Sequence, residues 1–306
     1  MELRIFTEPQ QGATYDTLLA VAKAAETLEY GAFFRSDHYL KMGSVSGEPG
    51  PTDAWITLAG LARDTKTIRL GTLVNAATFR EPAPLAIIVA QVDAMSGGRI
   101  ELGLGSGWYA AEHSAYGLEF PSLGERFEKL EEQLAIITGL WAAQGLFSHA
   151  GKHYQLVDAP PFIKTTQSKL PIVIGGGGPK RTPRLAATYA SEFNVPFAPI
   201  EKMTEQFARV RLACEAQQRD PATMVWSTAQ IVCCGRDEAE IAKRAARIGR
   251  EVAELRENGI CGTPDEVAQK LRTLEAAGVQ RMYLQIMDLQ DLEHMQLLAE
   301  GVRPQL

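Results

Sequence analysis

Short apolar strands alternate with segments of helical period eight times along the chain, and no linker or shift of composition divides it. Such βα repetition builds a parallel sheet. At about 38 residues per unit, the 306 residues come close to a barrel carrying one insertion. The sequence therefore predicts an α/β protein, a (β/α)8 TIM barrel over residues 1–306 as one domain, with an inserted hairpin and loop near residues 145–170. A doubly wound open sheet is the second choice.

Leu3 to Phe6 reads as a first strand, and Thr14 caps a helix whose apolar face is Leu18, Val21, Ala22, Ala25 and Leu28. Ala32-Phe33-Phe34 is the second strand, ending in Arg35-Ser36-Asp37-His38. Asp53 caps a helix through Arg63, and Ile68 to Val74 makes the third strand. A helix runs from Pro84, which suits a first helical position, to Met95. Arg99 to Gly105 is the fourth strand, and Ser122 with Glu125 forms a capping box before an amphipathic helix. His149 to His153 around Gly151, then Pro160-Pro161, break the rhythm as the insertion. Pro171–Ile174, Glu192–Val195, Val225–Cys234 and Arg281–Met287 are strands five to eight. Helices over 179–190, 202–219, 237–249 and 263–277 lie between them, the last opened by a second capping box at Thr263 and Glu266.

Composition removes several classes of function. There are 31 Lys plus Arg against 37 Asp plus Glu, a net charge of −6, and no basic block. Nucleic acid and anionic membrane surfaces are poor partners for such a chain. No stretch is apolar enough for a membrane span and no signal peptide is present, so a cytoplasmic protein is expected. The four cysteines, Cys214, Cys233, Cys234 and Cys261, show no metal-ligand spacing and read as buried thiols. His149 and His153, alone across a hairpin turn, make no metal site, and no metal is expected. His294 reads as solvated on a C-terminal helix.

In a barrel the chemistry sits just after the strands. Asp37 and His38 follow strand two, and Asn75 to Arg80 follow strand three. Gly105-Ser106-Gly107-Trp108-Tyr109 follows strand four, with Glu112 and His113 a helical turn on. Strand five leads into Gly175-Gly176-Gly177-Gly178-Pro179-Lys180-Arg181-Thr182. Four residues without side chains before a helix let an anion reach backbone N–H groups, which describes a phosphate site. It is neither a Walker A loop nor a dinucleotide fingerprint. Leu104 stands where a nucleophile elbow needs glycine, so Ser106 is no hydrolase nucleophile. Trp108 and Tyr109 at the rim suit aromatic cover for a planar ligand.

These residues resemble the bacterial-luciferase-like monooxygenase superfamily, in its deazaflavin oxidoreductase branch. Ser36-Asp37-His38, Leu70 to Val74 with Thr78-Phe79-Arg80, Ser96 to Arg99 leading into Gly103 to Gly107, and Leu170 to Gly178 carry the likeness. The resemblance implies coenzyme F420, with FMN as the alternative cofactor, its phosphate on Gly175 to Thr182. It implies the ring over a bulge at Leu73 and Val74, where the family often holds a cis peptide. Asp37, His38, Asn75, Gly105, Ser106 and Gly107 would lie against the cofactor, and Trp108 and Tyr109 in the substrate pocket. The chain departs from the glucose-6-phosphate and alcohol dehydrogenase pattern at Met42, where that branch has Trp, and at Trp108, where it has Glu. Hydride transfer between reduced F420 and a small C=C, C=O or C=N substrate is the implied reaction, with His38 as proton donor or anchor. An FMN monooxygenase served by a flavin reductase and a non-enzymatic flavin-binding protein are the alternatives. The family is commonly dimeric, and the apolar helix Leu85 to Met95 is either deep core or a subunit face.

Overall fold

A computed structural model describes all 306 residues. Eight parallel strands close on themselves: β1 (Glu2–Thr7), β2 (Ala32–Arg35), β3 (Arg69–Thr72), β4 (Ile100–Gly105), β5 (Ile172–Gly175), β6 (Glu192–Asn194), β7 (Val225–Cys234) and β8 (Arg281–Gln285). Each pairs with the next in chain order, and the register Glu2↔Arg281 to Phe6↔Gln285 closes β8 on β1. The barrel and all eight strand positions agree with the sequence reading. The expected insertion is an antiparallel hairpin, Phe147–Ala150 with Gln155–Ala159.

Helices α1 (Tyr15–Thr27), α2 (Ala54–Asp64), α3 (Pro82–Ser96), α4 (Ala110–Ala115), α5 (Leu123–Ala142), α6 (Arg181–Tyr189), α7 (Ile200–Ala216), α8 (Glu238–Arg247), α9 (Val252–Asn258), α10 (Pro264–Ala276) and α11 (Leu292–Leu297) surround the strands. Thr14, Asp53 and Ser122 accept first-turn N–H groups and Thr263 with Glu266 closes a full box, as the sequence marks, whereas the box expected at Ser122 is only half formed, without the return bond from Glu125. Helix α3 starts two residues earlier than expected, with Pro82 rather than Pro84 at its first position. Leu85, Ala86, Val89, Ala90 and Val92 of α3 are buried, and Ile87 is its one exposed large apolar side chain. The helix is therefore mainly core, lying against α2 and α5. Helix α9 and a short strand, Ile260–Gly262, which pairs in parallel beside the end of β7, were not expected: both are too short to show a period. All four cysteines are buried free thiols, as expected.

Alternation along β1 shows how the barrel is filled. Leu3 and Ile5 join the large apolar cluster shared with the helices, while Arg4 and Phe6 point the other way, inside. Within the barrel, Phe6, Phe34, Val173, Ala229 and Tyr283 form an apolar layer. Beneath it lies a layer of charge. Arg4 donates to Glu101 at 2.8 Å, to Glu2 at 2.7 Å and to the Tyr283 hydroxyl at 3.1 Å. Arg69 also donates to Glu101, and Arg281 to Glu192 at 2.7 Å.

Burial alone would raise the Glu101 carboxyl, but the charges and hydrogen bonds of Arg4 and Arg69 outweigh it and bring it to about 2. A depressed carboxyl contributes stability above its unfolded value and loses it as pH falls through the folded one. Glu101→Gln, which leaves Arg4 and Arg69 short of a partner, is expected to cost about 3 kcal/mol in urea unfolding at pH 7. The gap from the parent protein should narrow as pH is lowered from about 4.5 toward 2. A gap independent of pH would show that the carboxylate charge is not what stabilises the layer.

Candidate active site

The C-terminal ends of the strands open into a cleft of about 340 Å3, within the size range of small-molecule sites. Asp37, His38, Leu73, Val74, Asn75, Gly105, Ser106, Gly107, Trp108, Gly175 and Gly176 all line it. Eleven residues singled out in sequence, drawn from four separate strand ends, thus meet in one cleft.

His38 ends the β2 turn, and its Nδ1 lies 2.9 Å from a carboxylate oxygen of Glu112 on α4. Glu112 is buried and also accepts the Tyr39 N–H at 2.9 Å. A carboxylate only accepts, so Nδ1 donates and Nε2 is left for the cleft. A carboxylate four residues after Trp108 thus holds His38. The Trp108 ring meets His38 edge-on at 5.7 Å and stacks on Tyr109 at 5.2 Å.

Asp37 is buried, with its carboxylate committed to Asn75 and Arg80. Arg80 in turn reaches Asp53 and the Tyr39 hydroxyl, which donates to Asp53 at 3.0 Å. Asp37 therefore positions Asn75 and the β2 turn while presenting one edge to the cleft. Arg35 is buried with no carboxylate partner and donates to Thr52, Thr57 and nearby carbonyls. Burial brings its guanidinium down to about 10, despite the carboxylates of Asp37 and Asp53 nearby. These hydrogen bonds tie together the two ends of the 36–53 loop beside the cleft.

Leu73–Val74 is a cis peptide, as the resemblance implied. Val74 lies against β4 only because that strand has glycines. A Cβ on Gly103 would come within 2.0 Å of the Thr72 carbonyl oxygen and 2.8 Å of Val74, and one on Gly105 within 3.0 Å of Val74.

At the glycine run, Gly176 has φ of +128°, which a side chain rarely tolerates, and a Cβ at Gly177 would meet nothing within 4 Å. The start of α6 has no side-chain cap. The Gly176 N–H donates to the Asn194 carbonyl at 3.1 Å, while the open space at Gly177 and the helix N-terminus beyond it fit a phosphate. Asn194 on β6, which lines the same cleft, has a buried Oδ1 without a partner, an acceptor for a hydroxyl or N–H.

Five expected residues stand elsewhere. Gly177, Gly178 and Thr182 are not in the cleft lining: Gly177 is exposed in the loop, and Thr182 is buried beneath Gly178 in the first turn of α6. Arg181 turns away to donate to the Gly124 carbonyl at 2.7 Å. The Tyr109 hydroxyl donates to the Lys41 carbonyl at 3.0 Å, so this ring braces Trp108 and the rim loop from outside the lining. Glu8, Phe6, Asn194, Pro196 and Phe197 line the cleft without having been singled out. The same strand-end rule, applied after β1 and β6, would have found Glu8 and Phe197. Burial holds the Glu8 carboxyl above its usual range, against the pull of His38 and hydrogen bonds that include Gln285 at 2.7 Å.

The family model described as "Luciferase-like monooxygenase" matches residues 1–253. The chain belongs to this family. It is 34% identical over 163 residues to an F420-dependent glucose-6-phosphate dehydrogenase of Amycolatopsis mediterranei, covering 53% of this chain and 48% of that protein. It is 30% identical to an F420-dependent hydroxymycolic acid dehydrogenase of Mycobacterium tuberculosis, over 78% of this chain and 64% of that one. This luciferase-like chain thus spans about half the length of the glucose-6-phosphate dehydrogenases it matches. An F420-dependent secondary alcohol dehydrogenase superposes with a TM-score of 0.87 at 18% identity, over 100% of this chain and 99% of that one, which supports the luciferase-like barrel.

Outside the cleft, His294 is buried rather than solvated: its Nε2 accepts the Cys234 N–H at 2.9 Å. Burial, aided by Arg244, pushes its pKa down to about 4. Held neutral, it contributes stability in full above its ordinary value near 6.5 and loses it as pH falls toward 4. In an NMR titration its C2 proton is expected to shift with a midpoint near pH 4; a midpoint near 6.5 would place the ring in solvent.

Proposed function

We propose that this chain is an F420-dependent oxidoreductase of the luciferase-like family. It moves a hydride between the reduced deazaflavin and a small organic substrate bearing C=C, C=O or C=N. The observation that carries the reading is the cleft itself. Gly175 and Gly176, which lead into the open glycine loop and the uncapped start of α6, line the same cavity as a histidine whose outer nitrogen is free. The names of the relatives favour F420 over FMN. The chain would work as one barrel domain over 1–306, and a homodimer is the proposed assembly.

When bound, F420 supplies the hydride. The protein would do the rest. Backbone N–H groups of Gly177 and Gly178 and the first turn of α6 would hold the phosphate. Leu73, Val74 and Asn75 would back the ring, and the unpaired Asn194 Oδ1 would accept one hydrogen bond from the cofactor. His38 would anchor or protonate the substrate atom at Nε2, with Glu112 holding Nδ1 and so the ring orientation. Tyr39 and Asp53, tied through Arg80, would keep the loop closed and water out.

Parallel fluorescence titrations with F420 and FMN test the cofactor, followed by a single turnover of the reduced complex in air. Micromolar or tighter F420 binding with weak FMN binding is expected; preferential FMN binding with oxygen-dependent turnover would identify a monooxygenase instead. His38→Ala is expected to lower kcat by about 100-fold without loss of F420 binding. An unchanged rate would remove His38 from the reaction.

A further inference from the structure

The charges around the cleft are nearly all committed. No Lys or Arg lines it. Arg80 is held by Asp37 and Asp53, and Arg35 by threonines and carbonyls. Lys180 is exposed beyond the glycine loop, at the phosphate cradle. Among the carboxylates, Asp37 is taken by Asn75 and Arg80, and Glu112 by His38 and the Tyr39 N–H. Glu8 remains, its carboxyl raised by burial and bonded by Gln285 at 2.7 Å. The cleft thus offers a free partner neither to an anion nor strongly to a cation.

Two aromatic side chains stand at its mouth. Trp108 follows β4 and Phe197 follows β6, on either side of the glycine loop, and they are 64% and 49% exposed although both line the cavity. Phe197 has φ of +52°, an outlier for a bulky residue, held by its N–H to the Ala229 carbonyl at 2.9 Å. Aromatic faces left open on a cavity lining can stack on a flat apolar ligand.

We propose that the cleft takes an uncharged, flat, largely apolar molecule, its ring against the aromatic side chains Trp108 and Phe197 that line the cleft and its polar end at His38, and rejects sugar phosphates. This rests on the cleft being the site of the proposed oxidoreductase. The substrate chemistry therefore differs from that named for the glucose-6-phosphate dehydrogenase relatives.

Isothermal titration of the F420-loaded protein with benzalacetone, a neutral aryl enone, and with glucose 6-phosphate tests it. Benzalacetone is expected to bind at submillimolar concentration and glucose 6-phosphate not at all. Trp108→Ala and Phe197→Ala should each weaken benzalacetone about three- to tenfold, and Trp108→Phe should restore most of the affinity. Circular dichroism confirms that each variant is folded. Tighter binding of glucose 6-phosphate, binding of neither probe, or alanine variants with unchanged affinity would overturn the inference. Failure of F420 to bind, read in its own titration while benzalacetone still binds the free protein, would overturn the cofactor assignment alone.

Discussion

The mouth of this barrel is organised by one buried carboxylate. Glu112 stands on a short helix after β4, yet its two oxygens serve groups from the turn after β2, the ring of His38 and the N–H of Tyr39. A carboxylate out of water needs such donors, because without them its desolvation is uncompensated. Meeting that need joins two separate strand ends and gives His38 one orientation. Tyr39 then delivers its hydroxyl to Asp53 and receives Arg80, so the same contact extends to α2 and to the segment after β3. A second histidine fastens the other side of the loop. His113 Nδ1 lies 2.8 Å from the Tyr109 carbonyl and must donate, leaving Nε2 to accept from Thr78 at 2.7 Å.

Space is the complementary constraint. The barrel interior passes from a charged layer around Arg4 through an apolar layer around Phe34 to the polar cleft, so the ligand-facing groups rest on a dry floor. Glycines are placed where backbone must approach backbone: Gly103 and Gly105 under Val74, and Gly176 at the cradle. In each case the missing side chain makes room for a neighbour or a ligand.

Most of the architecture is legible in the sequence because period and punctuation agree. β-branched runs alternate with capped helices, and capping residues such as Asp53 and Thr263 stand where the helices begin. The site is legible to the extent that it follows strand ends, which brings His38, Asn75, Ser106 and Gly175 together. What escapes is long-range and directional. Nothing local says that Glu112 faces His38 across 74 residues, that Arg181 turns toward Gly124, or that Tyr109 braces Trp108 from outside. His294 was misread for a related reason: its short helix looks polar, but the Cys234 N–H beneath it requires an acceptor.

The most direct measurement on the Glu112–His38 contact is the tautomer of His38, read by long-range 1H–15N NMR at a pH where the ring is neutral. The expected result is a proton on Nδ1 with Nε2 bare, and loss of that preference in Glu112→Gln. A proton on Nε2, or a tautomer indifferent to Glu112, would contradict the arrangement from which the function is argued.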